Sequence, residues 1–193
     1  MAIRRFSTSN LSGGKSSKLW DQETIPGVYE SIVTYTAGTS DASNFTFSNI
    51  PQNYTHLQIR LIGRTLLNTG NTTDSLYVRF NSDSTNADYV IHNIYGNGSS
   101  VSANGATLNY YQYGLFPNGT TTAFGVGIID ILDYTNTNKN KVIQTLGVWD
   151  ANGSGFVNLD SGLWLSTAAI NTITLTANFN FIQYTQFALY GVK

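Results

Sequence analysis

The sequence contains no cysteine among its 193 residues. This absence excludes disulfide bonds, zinc sites built on thiolates and cysteine nucleophiles, and it leaves open the redox compartment in which the protein works. A chain of this length fits a single domain with an appendage, and it can bury a sizeable core without covalent cross-links.

Charged residues are also scarce, at 11% of the sequence against about 25% in an ordinary soluble domain. The surface must therefore be made polar mainly by Asn, Thr, Ser and Gln. With 41% hydrophobic and 13% aromatic residues, the composition is that of a folded chain. A net charge of −1 gives no overall field to attract nucleic acid or a membrane surface, so we expect neither partner.

Long apolar runs are missing as well. No stretch approaches the roughly 20 apolar residues that a membrane-spanning helix needs. Arg4 and Arg5 are not followed by the apolar run of a signal peptide. We therefore expect a protein that is made in a cytoplasm and does not insert into a membrane.

Residues 1–28 differ from the rest of the chain, because they are rich in Ser and Gly and show no period of 2 or 3.6. One interpretation is a terminus without fixed structure. The other is an extended docking arm that becomes ordered when its basic and large apolar residues meet a partner surface. The candidate docking residues are Arg4, Arg5, Phe6, Lys15, Lys18, Leu19 and Trp20.

From Tyr29 onward, short runs rich in Val, Ile, Thr, Phe and Tyr recur between clusters of Gly, Asn, Asp and Ser, which predicts β-strands. The clearest covers residues 55–61, where Leu57, Ile59 and Leu61 face one way. The other predicted strands are 30–36, 44–48, 76–80, 88–95, 107–113, 123–132, 141–149, 162–165, 171–176 and 186–192. No segment shows a convincing helical stripe.

About ten short strands at spacings near 8–12 residues, without helices between them, predict an antiparallel sandwich of two sheets over residues 29–193. A jelly roll is the favoured version. The polar connections around residues 68–74, 96–105 and 117–121 are expected at the ends of the sandwich.

Catalytic groups are few. His56 and His92 lie within predicted strands, and no serine sits in a nucleophile elbow. Asp130 and Asp133 are expected on opposite faces, so local geometry does not make them an acid and nucleophile pair. A polysaccharide-cleaving enzyme would need acids brought together from distant strands. We expect a protein that is not an enzyme and has no cofactor.

Asp150, Asn152 and Ser154 place oxygen atoms at alternate positions before Gly155, as calcium loops do. Ser161, however, stands where such a loop has its bidentate glutamate, and Asn152 with the following glycine is a signal for a type I′ turn. The sequence favours a polar hairpin turn and leaves a weak calcium site as the alternative.

Tyr110, Tyr111 and Tyr113 form an aromatic cluster beside amide residues. Exposed rings next to amides bind sugars, whereas buried rings pack across strands. Both interpretations remain open at the level of sequence, and the first makes these three tyrosines candidate ligand-facing residues.

Three motifs carry a family resemblance: Ala2-Ile-Arg-Arg-Phe6-Ser-Thr-Ser, Lys15-Ser-Ser-Lys18-Leu-Trp-Asp-Gln-Glu-Thr24 and Ile50-Pro-Gln-Asn-Tyr-Thr-His-Leu-Gln-Ile-Arg60. They resemble small virion proteins of tailed phages, especially phages of aquatic bacteria and cyanobacteria, and Phe187-Ala-Leu-Tyr-Gly-Val-Lys193 is similar to their usual ending. The resemblance implies a virion component whose basic arm anchors into the particle while a β domain projects outward.

The expected function is therefore that of a non-enzymatic phage structural protein of the tail-fibre or attachment class, located in the virion. Its partners would be other virion proteins and further copies of itself, since symmetry multiplies weak contacts. The alternatives are a capsid decoration protein and a carbohydrate-binding module that binds a host surface glycan. No coiled-coil or collagen repeat specifies the oligomer.

Overall fold

The computed structural model describes residues 28–39, 42–66, 73–117, 123–150 and 155–193, with side chains throughout except at 113–116. Within these ranges the chain forms twelve strands and no helix. The strands are β1 Tyr29–Thr36, β2 Asn44–Phe47, β3 His56–Gly63, β4 Thr73–Phe80, β5 Tyr89–Gly96, β6 Val101–Leu108, β7 Tyr111–Pro117, β8 Gly125–Leu132, β9 Lys141–Asp150, β10 Gly155–Trp164, β11 Ile173–Ala177 and β12 Gln186–Val192.

The strands build two antiparallel sheets. The larger has the order β1-β12-β3-β8-β9-β10-β5-β6 and the smaller the order β2-β11-β4-β7. Apart from β5, β6, β9 and β10, successive strands alternate between the sheets, so that β1-β12-β3-β8 faces β2-β11-β4-β7. This is the winding of an eight-stranded jelly roll, and the predicted all-β sandwich is confirmed.

Two hairpins extend the jelly roll. The β5–β6 hairpin is inserted between β4 and β7, and the β9–β10 hairpin between β8 and β11. The hairpins pair with each other through β5 and β10, and β9 pairs with β8, so all four strands are added to one side of the larger sheet. We call these four strands the extension.

The core lies between the two four-stranded halves of the jelly roll. Period-2 alternation turns one row of aliphatic or aromatic side chains from each strand into it. The residues that fill it include Leu57, Ile59 and Leu61 of β3, Leu76, Val78 and Phe80 of β4, Ile129 and Ile131 of β8, and Phe187 and Leu189 of β12, all at most 5% exposed.

The two sheets differ in width. At about 4.8 Å per strand, the larger sheet is roughly twice as wide as the smaller. The smaller sheet ends at β7, which packs against β5, β9 and β10. The inner face of the extension beyond β7 therefore has no sheet opposite it.

Two sequence predictions are wrong in this region. The residues 96–105, expected as a connection, contain most of β6, which pairs with β5 along its whole length. The strand expected at 107–113 is broken at Asn109 and Tyr110, because here the chain leaves β6 in the larger sheet and enters β7 in the smaller. In addition β10 begins at Gly155, seven residues before the strand predicted at 162–165.

Candidate functional site

The predicted docking residues Arg4, Arg5, Phe6, Lys15, Lys18, Leu19 and Trp20 lie outside the described residues. What the structure gives is the point where residues 1–28 join the sandwich. Val28 precedes β1, the edge strand opposite the extension, and its carbonyl accepts a hydrogen bond from the amide of Lys193 at 3.0 Å. The docking role of this segment stays a prediction.

The three tyrosines proposed as ligand-facing are not brought together on a surface. Tyr111 is 0% exposed, so its ring cannot face a ligand in solution, and that part of the prediction is wrong. Tyr110 is half-buried, 4.5 Å from the ring of Tyr77 and 5.8 Å below the guanidinium of Arg79. The Tyr113 side chain lies outside the described residues.

The weak calcium candidate is described only in part. Asp150 ends β9 and is exposed, while Asn152 and Ser154 lie outside the described residues. Elsewhere in the described chain, no group of three or more His, Asp or Glu side chains is placed to hold a metal ion.

His56 and the two aspartates have local partners. The Nδ1 atom of His56 accepts a hydrogen bond from the backbone amide of Asp133 at 2.9 Å. The Asp133 carboxylate pairs with Lys139, and the hydrogen bond from that ammonium group lowers the pKa of Asp133. Asp130 lies on the outer face of the larger sheet and accepts a hydrogen bond from Gln58 at 2.7 Å. No two of these acids share a site.

The inner face of the extension carries a row of polar side chains that sequence reasoning missed. Cross-strand pairing aligns Asn104 of β6, Asn93 of β5, Asp160 of β10 and Thr145 of β9. The next member of the same row is Ile129 of β8, which is buried in the core. The row thus changes from apolar to polar where the smaller sheet ends.

This row forms the floor of a cavity of about 220 Å³ between the extension and β7. The side chains that line it are polar or aromatic: Asn93, Tyr95, Asn104, Gln112, Phe156, Asn158 and Asp160. Asn158 and Asp160 are 6% and 2% exposed, respectively, whereas Asn104 is exposed. The cavity is therefore deepest at β10 and opens at the edge strand β6.

A chain of hydrogen bonds fixes Asp160. Its Oδ2 atom accepts hydrogen bonds from Asn158 Nδ2 and from Thr145 Oγ1, both at 2.8 Å. Because the only hydroxyl proton of Thr145 is used in this way, the Tyr111 hydroxyl is the donor in its 3.2 Å contact with Thr145. The buried Tyr111 ring lies against Gly162, and so it supports the floor of the cavity from the side of the core.

Two of the side chains that line the cavity, Tyr95 and Phe156, belong to an aromatic group. Phe156 lies 5.9 Å from Tyr95 and 5.8 Å from Trp149, measured between ring centroids. Trp149 is buried but does not belong to the main core cluster. These rings form a separate aromatic group at one end of the extension, next to the amide side chains.

The outer face of the extension has the opposite character. Two cross-strand rows of aliphatic side chains run along it and continue onto β8 and β3 of the jelly roll: Ile62, Val126, Val148, Val157 and Val101 in one, and Ile128, Leu146, Leu159 and Ile94 in the other. Apart from Ile128, each of these side chains is between 38% and 72% exposed. We call this surface the apolar face.

A polar row borders the apolar face. It contains Gln58, Asp130, Gln144, Ser161 and His92, aligned across β3, β8, β9, β10 and β5. Beyond it a further aliphatic row follows, with Leu132, Val142, Leu163 and Val90, of which Leu132 and Val142 are exposed. At the cavity the extension is thus inverted in polarity relative to the jelly roll, because polar side chains point inward and aliphatic side chains point outward. Closer to β7 its inner face carries core residues such as Ile91, Ile143 and Trp164.

The described chain holds no helix of the length and apolarity that a membrane crossing requires. Comparisons of the sequence and the structure with protein-family models, with curated proteins and with solved structures give no match. Functional inference therefore rests on the geometry of the cavity and the apolar face, together with the sequence motifs.

Proposed function

We propose that this protein is a non-enzymatic structural protein that works by assembly through the apolar face. Following the resemblance of its sequence motifs, we assign it to the virion of a tailed phage, in the tail-fibre or attachment class. The observation that carries the assembly role is the inverted polarity of the extension. Contiguous exposed aliphatic side chains that lie opposite a polar inner row mark a surface that a partner covers.

The size of the apolar face supports an interface. Six strands at about 4.8 Å and two rows of side chains at about 7 Å give a footprint of roughly 400 Å². The largest apolar patch on a typical monomer measures about 300–600 Å² and is often a functional surface. A stable interface buries about 800 Å² on each partner, with an apolar centre and a polar rim. The apolar face matches such a centre, and the row from Gln58 to His92 supplies polar groups along one side of it.

The energy of one such contact is modest. Fully burying a Val, Leu or Ile side chain contributes about 1.5–3 kcal/mol, so the eight half-exposed aliphatic side chains would contribute about 6–12 kcal/mol in total. Association costs about 4–15 kcal/mol, because the partners lose translational and rotational freedom. A single contact is therefore weak, and a symmetric assembly in which every copy makes the contact is favoured.

The attachment point of residues 1–28 supports separate locations for anchoring and for assembly. Those residues join the sheet at β1, whereas the apolar face is centred on the extension at the other edge. Seven strand spacings of about 4.8 Å separate the two edges by roughly 34 Å. An anchor and an assembly face at opposite edges allow one copy to hold the particle and contact its neighbours at the same time.

Two leucines with equal exposure test the assembly role. Leu146 lies in the apolar face and Leu66 lies outside it, and both are 49% exposed. In sedimentation velocity of the full-length protein, we expect concentration-dependent oligomers that Leu146→Asp abolishes and Leu66→Asp leaves intact. A wild-type protein that stays monomeric at all concentrations, or equal effects of the two substitutions, would contradict the proposal.

The virion role has its own test. Protein lacking residues 1–28 should fold, as judged by a cooperative thermal transition, but should be lost from purified particles. Retention on the particles would refute the anchor. Densitometry of intact particles separates the two structural roles, because several hundred copies per particle would favour capsid decoration over a tail fibre.

A further inference from the structure

The cavity between the extension and β7 lies on the inner side of the sheet, away from the apolar face, and assembly makes no use of it. Its floor and walls place four amide groups, one carboxylate and two aromatic rings around a volume of about 220 Å³. Such a volume is below the range of about 300–1,000 Å³ that drug-sized ligands occupy, and it corresponds to about seven water molecules. The space suits one small, hydroxyl-rich ring.

We propose that this cavity binds a single neutral pyranose unit of a glycan. The aromatic rings of Tyr95 and Phe156 offer an apolar surface to the C–H face of a sugar ring. The side chains of Asn93, Asn104 and Asn158 provide both donors and acceptors, which hydroxyl groups need because each is at once a donor and an acceptor. This inference does not depend on the assembly role.

The charge of the cavity selects neutral sugars. Asp160 is the only side chain among the described residues lining it that carries a charge at neutral pH, and Lys, Arg and His are absent from that lining. A uronic or sialic acid would bring a second carboxylate close to Asp160 without a cation to offset it, and like charges in a partly buried site repel. The site therefore discriminates against acidic sugars.

The cavity is prepared for a ligand. Thr145 and Asn158 hold Asp160 in one orientation, so little conformational freedom is lost on binding. The Oδ1 atom of Asn93 is buried and has no hydrogen-bond partner within the described part of the chain. A buried acceptor of this kind gains a bond when a ligand hydroxyl reaches it, whereas an apolar ligand would leave it unsatisfied.

Saturation-transfer NMR of the full-length protein, with glucose, galactose, mannose, N-acetylglucosamine and glucuronic acid as probes, tests the proposal. A single pyranose makes too few contacts for tight binding, so we expect a Kd on the order of 1 mM for at least one neutral sugar. Glucuronic acid should bind at least about tenfold more weakly than glucose. Absence of any neutral sugar signal at about 20 mM, roughly twenty times that Kd, would overturn the proposal.

Three asparagine variants locate the site. Asn93→Ala and Asn104→Ala should each weaken binding of the best sugar by about tenfold, because each removes a polar partner of the ring. Asn53→Ala is the matched control, since Asn53 is exposed in the connection before β3, and its affinity should stay unchanged. Thermal unfolding establishes that each variant is folded. Unchanged binding in both cavity variants, or an equal loss in the control, would refute the assignment.

The outcome is separate from that of the assembly test, because Leu146→Asp alters the opposite face of the sheet and should leave sugar binding intact.

Discussion

Replacing Gly162 by Ala tests the packing that supports the floor of the cavity. A Cβ atom added at Gly162 would lie 2.2 Å from Cε2 and 2.4 Å from Cδ2 of Tyr111, so the buried ring would have to move. Overpacking of this kind costs about 1–3 kcal/mol. Replacing a strand glycine also stabilises the protein by about 0.5–1 kcal/mol, because the unfolded chain then has less conformational freedom to lose on folding. We therefore expect a net loss of about 1–2 kcal/mol in the free energy of unfolding, or about 2–8 °C in Tm.

A double-mutant cycle isolates the contact. Tyr111→Ala should cost about 3–5 kcal/mol, as truncation of a buried aromatic residue does. With the ring absent, Gly162→Ala should become neutral or stabilise the protein by up to about 1 kcal/mol, so the coupling energy is about 1–3 kcal/mol. Tyr111→Phe keeps the ring and removes the hydroxyl that contacts Thr145. In that background Gly162→Ala should cost as much as in the wild type. Urea unfolding followed by tryptophan fluorescence measures all of these values. An equal cost of Gly162→Ala with and without the ring would refute the reasoning.

Two further predictions concern buried or partly buried carboxylates. Asp74→Ala should lower the free energy of unfolding by about 2–4 kcal/mol in urea titrations. The reason is that it removes the acceptor of the Phe179 backbone amide and of the backbone and side-chain amides of Asn178. Asp74→Asn keeps one side-chain oxygen and should cost less. Partial burial would raise the pKa of Asp83, but hydrogen bonds from a backbone amide and an indole N–H outweigh it and lower that pKa. The stability that Asp83 contributes is therefore complete above its unfolded pKa and is lost as the pH falls through the folded pKa. Between about pH 6 and about pH 2, the free energy of unfolding should therefore fall less in Asp83→Asn than in the wild type. An equal loss in both proteins would contradict this account.

The jelly roll itself was predictable from the sequence. Strands such as β3 bury one face and expose the other, and this leaves a period of 2 in the chain at Leu57, Ile59 and Leu61. The absence of a helical period and the regular spacing of turns then restrict the fold to a sandwich.

The edge strand β6 was not predictable in the same way. Its sequence, Val101-Ser-Ala-Asn-Gly-Ala-Thr-Leu108, has no alternation, and most of its side chains are exposed. Its position is set by backbone hydrogen bonds to β5, which do not depend on side-chain type. An edge strand without a sheet opposite it needs no apolar row, and so it leaves no periodic signal.

The cavity was hidden for a different reason. Asn93 and Asp160 are distant in the sequence and meet only because β5 and β10 pair in one particular register. A local signal did exist, since Val157 and Leu159 alternate with Asn158 and Asp160 on β10. That alternation predicts a strand with one polar and one apolar face, but it does not say which face points to the interior.

The inverted polarity of the extension separates an interface from a simple preference of strands for aliphatic residues. Val, Leu and Ile favour strands in general, so propensity alone would place them on every exposed strand face. The other outer surfaces are mixed, with Thr174 and Thr176 on β11 and Gln58 and Arg60 on β3, but also with exposed Val33 on β1 and Leu132 on β8. Six of the nine aliphatic side chains of the apolar face lie on the extension, opposite the polar floor of the cavity. Strand propensity does not explain why the inner row is polar where the outer rows are aliphatic, whereas an assembly contact outside and a polar cavity inside explain both.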